Sequence, residues 1–235
     1  MCEFCWTQAS VKKAVSLSLL SASISKSAIS SLSAVFARSS GNSIPVEGRV
    51  IIPRFGKERL QNEANSLRFI SEKTNIPVPK FIGHFEDDGA VYLITEFVEG
   101  IAMSELPENQ RKEVEVEVEA HLQTLKQLKS SQWGGPSGLV IPPYRIMQKT
   151  FRSRWTMKNR DSKDLVFCHN DLSTHNIIVD EKTLKIKAIL DWEYAGFFPA
   201  EFEGMYFRRP GASVALDGED DDVEKLLEVM RINEA

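Results

Sequence analysis

The chain has 235 residues, 42% of them hydrophobic and 26% charged, and 29 Lys and Arg against 33 Asp and Glu give a formal net charge of −4. This composition excludes a disordered chain, which has fewer apolar residues and a larger net charge, and the lack of a basic excess argues against nucleic acid as a partner. No apolar run is long enough to span a membrane, and three cysteines cannot form a disulfide framework, which favours a reducing, cytoplasmic location.

Residues 1–43 differ from the rest of the chain because they are rich in Ser and contain a single acid, Glu3. Such a segment is typical of an organelle transit peptide, so organelle targeting stays open. No apolar core with a cleavage site is evident, and we therefore predict an N-terminal extension with one or two short helices. Cys2 and Cys5 have the spacing of metal ligands, but a structural zinc site needs four ligands and no second pair follows.

Strand and helix patterns follow in alternation. The pattern of residues 49–55 predicts a short strand. Because of Pro53, this strand lies at the edge of a sheet or ends near the proline. Residues 57–73 predict a helix, whose apolar residues recur at helical spacing: Leu60, Ala64, Leu67 and Ile70. Residues 80–86 and 90–96 predict a hairpin joined at an Asp-Asp-Gly turn.

The segment from Glu113 to Ser130 is ambiguous, because its Glu and Val residues first alternate as in a strand. Its apolar residues also form one helical stripe, and its length favours a long helix. Further along, residues 165–168 predict a buried strand and residues 176–180 and 184–191 a strand pair. Residues 223–230 predict a final helix with acids before its N-terminus, where the helix dipole favours them.

The polar segment around this strand pair carries the chemistry. Asp171 lies in the loop before it, Asn176 five residues later, and Asp191 at its far end. Phosphoryl transfer needs a carboxylate that orients and deprotonates the acceptor hydroxyl, and hard oxygen ligands for Mg²⁺. A loop Asp, an Asn and a second Asp beyond a hairpin can meet both needs on one side of a cleft.

The motif H-x-D-L-x-x-x-N at residues 169–176, followed by D-W-E at 191–193, resembles the aminoglycoside phosphotransferase and choline kinase family. Weaker matches lie upstream in the same order, at residues 62–70, 76–80 and 92–100. The resemblance implies an α+β, protein-kinase-like fold of two lobes, with a reduced antiparallel sheet in the N-lobe and a mainly helical C-lobe. We therefore expect an N-lobe at 44–99 and a C-lobe at 100–235.

The resemblance also implies roles for the residues of the catalytic loop. Asp171 would be the catalytic base, and His169 would brace the loop backbone. Asn176 and Asp191 would hold Mg²⁺. Each of these residues stands at the position that the family motif gives it.

On the nucleotide side, the resemblance implies that Glu63 pairs with a basic residue that contacts the phosphates of ATP. The backbone of the three residues Glu96, Phe97 and Val98 would contact adenine. The family has a lysine at the basic position, whereas this chain has Arg54, with Lys57 as a nearby substitute. Arginine and lysine are not interchangeable as phosphate ligands.

Two further departures concern the surrounding segments. No G-x-G-x-x-G precedes the strand that ends near Arg54, and the chain after Asp191 is too short for the activation segment and helical lobe of a protein kinase. We therefore expect an ATP- and Mg²⁺-dependent phosphotransferase acting on a small-molecule hydroxyl. Neither the acceptor nor the oligomeric state can be read from the sequence.

Two alternatives remain at this stage. The first is a kinase-like binding protein without catalysis, which Arg54, the missing glycine-rich loop and the short C-terminal part favour. The second is a metal-dependent hydrolase that uses His169, Asp171 and His175 as ligands. The hydrolase is the weaker of the two, because it assigns no purpose to the hairpin and to the D-W-E motif.

Overall fold

The computed structural model describes the backbone of residues 34–40, 44–46 and 49–51, and it describes residues 54–87 and 90–235. The N-terminal cysteine pair and most of the predicted extension lie outside these residues. Helices and small antiparallel sheets occur together, which confirms the predicted α+β class. Within the described parts, no helix is both long and apolar enough to cross a membrane.

The N-terminal sheet has three antiparallel strands in the order β1-β5-β4, with the bounds β1 (Ala34–Ser40), β4 (Phe81–Asp87) and β5 (Ala90–Glu96). The hairpin of β4 and β5 agrees with the prediction to within one residue. β1 pairs with β5 along its whole length. The sheet therefore begins inside the segment 1–43, and the predicted boundary of the extension lies too late in the chain. The Ser and Ala residues in and around β1 hid the apolar alternation that marks a strand.

A two-stranded ribbon precedes helix α1, and the bounds are β2 (Ile44–Val46), β3 (Arg49–Ile51) and α1 (Gly56–Lys73). The predicted strand 49–55 is wrong at its end, because Arg54 and Phe55 lie in a turn. Phe55 has a left-handed backbone, with φ of 52°, at the N-cap of α1. A proline at position 53 is consistent with an early end, because proline donates no hydrogen bond to a sheet.

Helix α1 packs against the N-terminal sheet and connects it to the rest of the molecule. Its buried apolar residues are those that the sequence predicted: Leu60, Ala64, Leu67 and Ile70. The buried Asn62 donates hydrogen bonds from Nδ2 to the backbone oxygens of Glu193, at 3.0 Å, and Ala195, at 2.8 Å. These bonds fix α1 to the segment that carries the D-W-E motif.

Helix α2 (Glu108–Gln127) resolves the ambiguous segment in favour of the helix. Its buried residues lie on the predicted stripe: Val114, Val118, Leu122 and Leu125. Val116 lies between the first two and is 71% exposed, so the alternation of Glu and Val is not that of a strand. The predicted end at Ser130 is wrong, because β7 (Lys129–Ser130) pairs with β8 (Leu165–Cys168) instead of continuing the helix.

Two more antiparallel sheets carry the polar loop, in the orders β10-β9-β6 and β11-β8-β7. Their remaining strands are β6 (Ile101–Ala102), β8 (Leu165–Cys168), β9 (Ile177–Val179), β10 (Ile186–Ile189) and β11 (Gly196–Phe198). β8 begins and ends at the predicted residues, and all four of its residues are buried. The predicted strand pair is confirmed as β9 and β10, each shorter than expected.

Two short helices complete the C-terminal part: α3 (Tyr144–Lys149), which was not predicted, and α4 (Val223–Ile232), which was. The buried Arg145 donates two hydrogen bonds to the carboxylate of Asp222, at 2.7 and 2.8 Å, and so ties α3 to the start of α4. Within the C-terminal part, the segments 131–143, 150–164 and 199–222 contain no α-helix. Prolines and glycines are frequent in the first and last of these segments, and both residues disfavour helices.

Candidate active site

The polar loop after β8 begins with two buried residues, His169 and Asn170. Asn170 has a left-handed backbone, with φ of 67°, which Asn tolerates better than most residues do. Its side-chain amide donates to the backbone oxygen of Tyr194 at 2.9 Å. This turn ends the buried strand and brings the next residue, Asp171, to a half-buried position.

Both ring nitrogens of His169 contact backbone groups. Nε2 lies 2.9 Å from the oxygen of Leu190, and the amide of Asp171 donates to Nδ1 at 3.3 Å. One nitrogen donates and the other accepts, so the ring is neutral, and burial lowers its pKa to about 4. The ring centroid lies 4.6 Å from that of Trp192. These contacts suit a residue that holds the loop, and they leave no nitrogen for the metal of the alternative hydrolase site with His175.

A side-chain hydrogen bond joins Asn176 to Asp171. Nδ2 of Asn176 donates to the backbone oxygen of Asp171 at 2.8 Å, and the amide of Leu190 donates to the backbone oxygen of Asn176, also at 2.8 Å. The second bond places Asn176 beside the residue before Asp191. Burial raises the pKa of the Asp171 carboxyl to about 7, and the nearby hydroxyl of Ser213 partly offsets this rise. A carboxylate that titrates near neutral pH is suited to accept a proton.

Three carboxylates converge beside the loop. Carboxylate oxygens of Glu63 on α1, and of Asp191 and Glu193 after β10, lie within 4.8 Å of one another. Burial raises the pKa of Glu63 to about 8 and that of Asp191 well above its ordinary value, and the charge of Glu193 adds to both. Crowded carboxylates are stabilised by a cation, and oxygen ligands of this kind are those that Mg²⁺ prefers. The donor set therefore fits the metal that the family resemblance implies.

Arg59 supplies a positive charge to this cluster from one turn before Glu63 on α1. Its guanidinium donates to Oε1 of Glu193 at 2.5 Å and lies 5.1 Å from the ring centroid of Tyr194. Burial alone would lower the pKa of Arg59. The neighbouring charge of Glu193 nevertheless holds this pKa above its ordinary value. Arg59 was not recognised from the sequence. The available signal was its spacing of four residues from Glu63, which places both on one helix face.

Arg54 and Lys57 do not join the cluster. The guanidinium of Arg54 donates to backbone oxygens at the end of α3, including that of Met147 at 2.7 Å. Lys57 pairs with Glu86 at 2.5 Å on the surface. The structure therefore does not bring Arg54 together with Glu63, and the role of Arg54 as a phosphate ligand stays a prediction.

The predicted adenine-contacting residues lie where the N-terminal sheet ends. The amide of Glu96 donates to the backbone oxygen of Lys80 at 2.9 Å, and the two following residues, Phe97 and Val98, are half-buried. Gly100 follows, where a Cβ atom would lie 2.5 Å from the backbone oxygen of Val179, so only glycine fits. The segment thus connects the sheet with β9, and its contact with adenine stays a prediction.

Glu203 is a second residue of the site that was not recognised from the sequence. Its Oε2 accepts a hydrogen bond from the backbone amide of His169, at the start of the loop. Burial raises its pKa to about 7, against the effects of the loop amides and of the Arg145 charge. No sequence signal marked Glu203, because the separation of 34 residues between the partners conceals their contact.

Comparison with known proteins gives matches to phosphotransferases and kinases. A family model described as choline/ethanolamine kinase matches residues 105–209. An aminoglycoside 3'-phosphotransferase of Streptomyces fradiae is 30% identical over 155 residues, which cover 56% of this chain and 57% of the relative. A probable choline kinase 1 of Arabidopsis thaliana is 43% identical over 44 residues, 19% of this chain and 12% of the relative. Among solved structures, an aminoglycoside-3'-phosphotransferase of type VIII has a TM-score of 0.47 at 19% identity, and the match covers 70% of this chain and 64% of that one.

The resemblance predicted from the sequence is thereby confirmed: part of the chain is similar to aminoglycoside phosphotransferases and to choline kinases. The matched segment 105–209 contains the loop with Asp171 and Asn176 and the segment with Asp191. The chain spans 57% of the length of the Streptomyces relative, a little more than half.

Proposed function

We propose that the protein is an ATP- and Mg²⁺-dependent phosphotransferase that acts on a small-molecule hydroxyl. The observation that carries this proposal is the juxtaposition of Asp171, Asn176 and Asp191 through the hydrogen bonds of the loop and of the β9–β10 hairpin. These residue types at one place supply the base and the oxygen ligands that phosphoryl transfer needs. The names of the matched relatives describe enzymes of that class.

Asp171 acts as the base in this proposal. Its carboxylate accepts the proton of the acceptor hydroxyl while that oxygen bonds to the γ-phosphorus and the bond from phosphorus to the departing ADP breaks. A pKa near 7 lets the carboxylate hold and release the proton at neutral pH. His169 fixes the backbone from which Asp171 projects, since its ring is bonded to that residue's amide.

Asn176 and Asp191 would hold Mg²⁺, and Glu193 and Glu63 place further carboxylate oxygens nearby. When bound, the metal would supply positive charge that neutralises the charge developing on the transferred phosphoryl group. The four acidic or amide side chains come from the loop, from the segment after β10 and from α1. The packing of α1 against that segment therefore determines whether the metal site is assembled.

On the nucleotide side, the backbone at Glu96, Phe97 and Val98 would contact adenine. Arg54 would contact the phosphates if its guanidinium left the backbone oxygens of α3 to which it is bonded. In that arrangement, Glu63 would pair with Arg54 and help to position its guanidinium. These roles follow from the family motif.

The test is a MgATP binding measurement on the purified protein, followed by a screen for phosphate transfer. We expect MgATP to raise the melting temperature, because a ligand that binds only the folded state stabilises it by mass action. ATP with EDTA in place of Mg²⁺ is the control and should give a smaller shift. Aminoglycosides, choline and ethanolamine form the first acceptor panel, with phosphate transfer followed by ADP release.

A non-catalytic kinase-like binding protein is the second candidate. It is favoured because Arg54 donates to the backbone oxygen of Met147 and does not pair with Glu63. This candidate predicts either no thermal shift with MgATP or a shift without ADP release for any acceptor. The phosphotransferase proposal would not survive a complete lack of MgATP binding at millimolar nucleotide.

A further inference from the structure

Arg59 lies beside the three clustered carboxylates of the site and binds one of them. Its guanidinium is bonded to Glu193 at 2.5 Å, and Glu193 lies within 4.8 Å of carboxylate oxygens of Glu63 and Asp191. The guanidinium also lies over the ring of Tyr194. A cation from α1 is thus placed among the oxygens that fit a metal ion.

The charge of Arg59 acts on the neighbouring acids as well as on its direct partner. Burial raises the pKa of Glu63, of Asp171 and of Asp191, and the charge of Arg59 lowers all three in part. Arg59 therefore stabilises the ionised form of the base and of the expected metal ligands. A group that does this is close enough to act on a phosphate brought to the same place.

The two basic residues predicted from the sequence are bonded to other partners. Arg54 binds backbone oxygens at the end of α3, and Lys57 binds Glu86 on the surface. Arg59 by contrast is held by one carboxylate and one aromatic face, and 26% of its side chain is exposed. It can exchange its partner without leaving the helix or opening the core.

We propose that Arg59 is the phosphate-binding residue of the nucleotide site, and that its ion pair with Glu193 is exchanged when MgATP binds. The guanidinium turns from Glu193 to the phosphate oxygens, which its planar fork can bind in a bidentate manner. The carboxylate of Glu193 is then free to join Asp191 as an oxygen ligand of Mg²⁺. This inference rests on the proposed function, because it concerns the same site.

The exchange predicts that removal of Arg59 changes the affinity for Mg²⁺ alone and the affinity for MgATP in opposite directions. Without nucleotide, Arg59 competes with Mg²⁺ for Glu193, so its removal should strengthen the binding of the metal alone. With nucleotide, Arg59 binds phosphate, so its removal should weaken the binding of MgATP. A residue that only stabilises the fold would not separate the two affinities in this way.

The experiment compares the wild type, Arg59→Gln, Arg59→Lys, the rival variant Arg54→Gln and a matched control, Arg68→Gln, at an exposed position of the same helix. Isothermal titration measures the binding of Mg²⁺ alone, and then of ATP at saturating Mg²⁺, and circular dichroism checks folding. For Arg59→Gln we expect Mg²⁺ to bind about fivefold more tightly and MgATP about tenfold more weakly. Arg68→Gln should match the wild type in both titrations, because its side chain is exposed and has no role in the proposed site.

Arg59→Lys keeps the charge on the helix, so it tests the proposal even if Arg59→Gln does not fold. It should bind MgATP about threefold more weakly than the wild type, because a lysine offers no bidentate fork. Unchanged MgATP affinity in the Arg59 variants, or a loss in Arg54→Gln instead, would overturn the inference and leave the proposed function standing. If the wild type itself bound no MgATP, the proposed function would fail and the inference with it.

Discussion

The polar loop, residues 169–176, and the start of α1, residues 54–63, both adjoin one cluster of carboxylates but are built differently. In the loop, the polar groups of the family motif are bonded to one another and to the backbone nearby, as Asn176 is to Asp171. At the start of α1, the basic residue expected from the motif is bonded elsewhere, and Arg59 enters the cluster in its place.

This difference shows which part of a site a motif can specify. The loop is held mostly by contacts within one strand, loop and hairpin, so its sequence spacing carries its geometry. The start of α1 is held by contacts with residues more than 90 positions away, such as that of Arg54 with Met147. The loop that carries the proposed base thus follows the family motif, whereas the start of α1 departs from it.

The largest effect should come from the loop. Asp171→Asn removes the base but retains the shape of the side chain, so we expect turnover to fall about 10²–10⁴-fold while MgATP still binds. Asp217→Asn, an exposed substitution of the same kind, serves as the control. Steady-state rates and MgATP titrations on both variants would decide this, and unchanged turnover in Asp171→Asn would remove that residue from the mechanism.

A smaller effect, on the free energy of unfolding, should come from Glu203, which contacts the loop from a distant part of the sequence. Glu203→Ala leaves the backbone amide of His169 without its acceptor, and we expect the free energy of unfolding to fall by about 2–3 kcal/mol. Glu201 is exposed and only two residues away, so Glu201→Ala should change stability by no more than about 0.5 kcal/mol. Urea denaturation of the two variants compares them directly, and equal stabilities would show that the loop does not depend on Glu203.

The pH dependence of turnover should reflect the raised pKa of Asp171. The base must be ionised, and its pKa is about 7, so the ionised fraction and with it kcat/KM should fall as the pH decreases below 7. The limiting slope is about tenfold per pH unit, because one proton is bound. A profile of kcat/KM from about pH 5.5 to 8.5 gives this limb, and a flat profile down to the lowest pH would contradict the burial of the base.

The smallest effect is expected at Lys57 on the phosphate side. Its ion pair with Glu86 is exposed, with 38% and 57% of the two side chains accessible, so Lys57→Gln should change stability by no more than about 0.5 kcal/mol. The affinity for MgATP should stay within about twofold of the wild type, because the side chain is directed to the surface. A tenfold loss of affinity in a MgATP titration would instead identify Lys57 as the missing lysine of the family.

The sequence predicted a large part of the fold. The long helices α1 and α2, the hairpin of β4 and β5, the buried strand β8 and the final helix were all recognised, since each has a clear apolar period. The strand β1 was placed in an extension, because its pairing with β5 across more than 50 residues leaves no local trace. The helix α3 was missed for a related reason, since its buried Arg145 is stabilised by the distant Asp222.

By itself the sequence determined the resemblance to a family, the secondary structure around the loop and the proximity of Asp171, Asn176 and Asp191, because these positions depend on spacing within one loop and one hairpin. Only the tertiary structure decided which basic residue meets them and which distant carboxylate supports the loop. Arg59 and Glu203 reach the site through the packing of α1 and of the segment after β11, and such contacts depend on how elements far apart in sequence fit together.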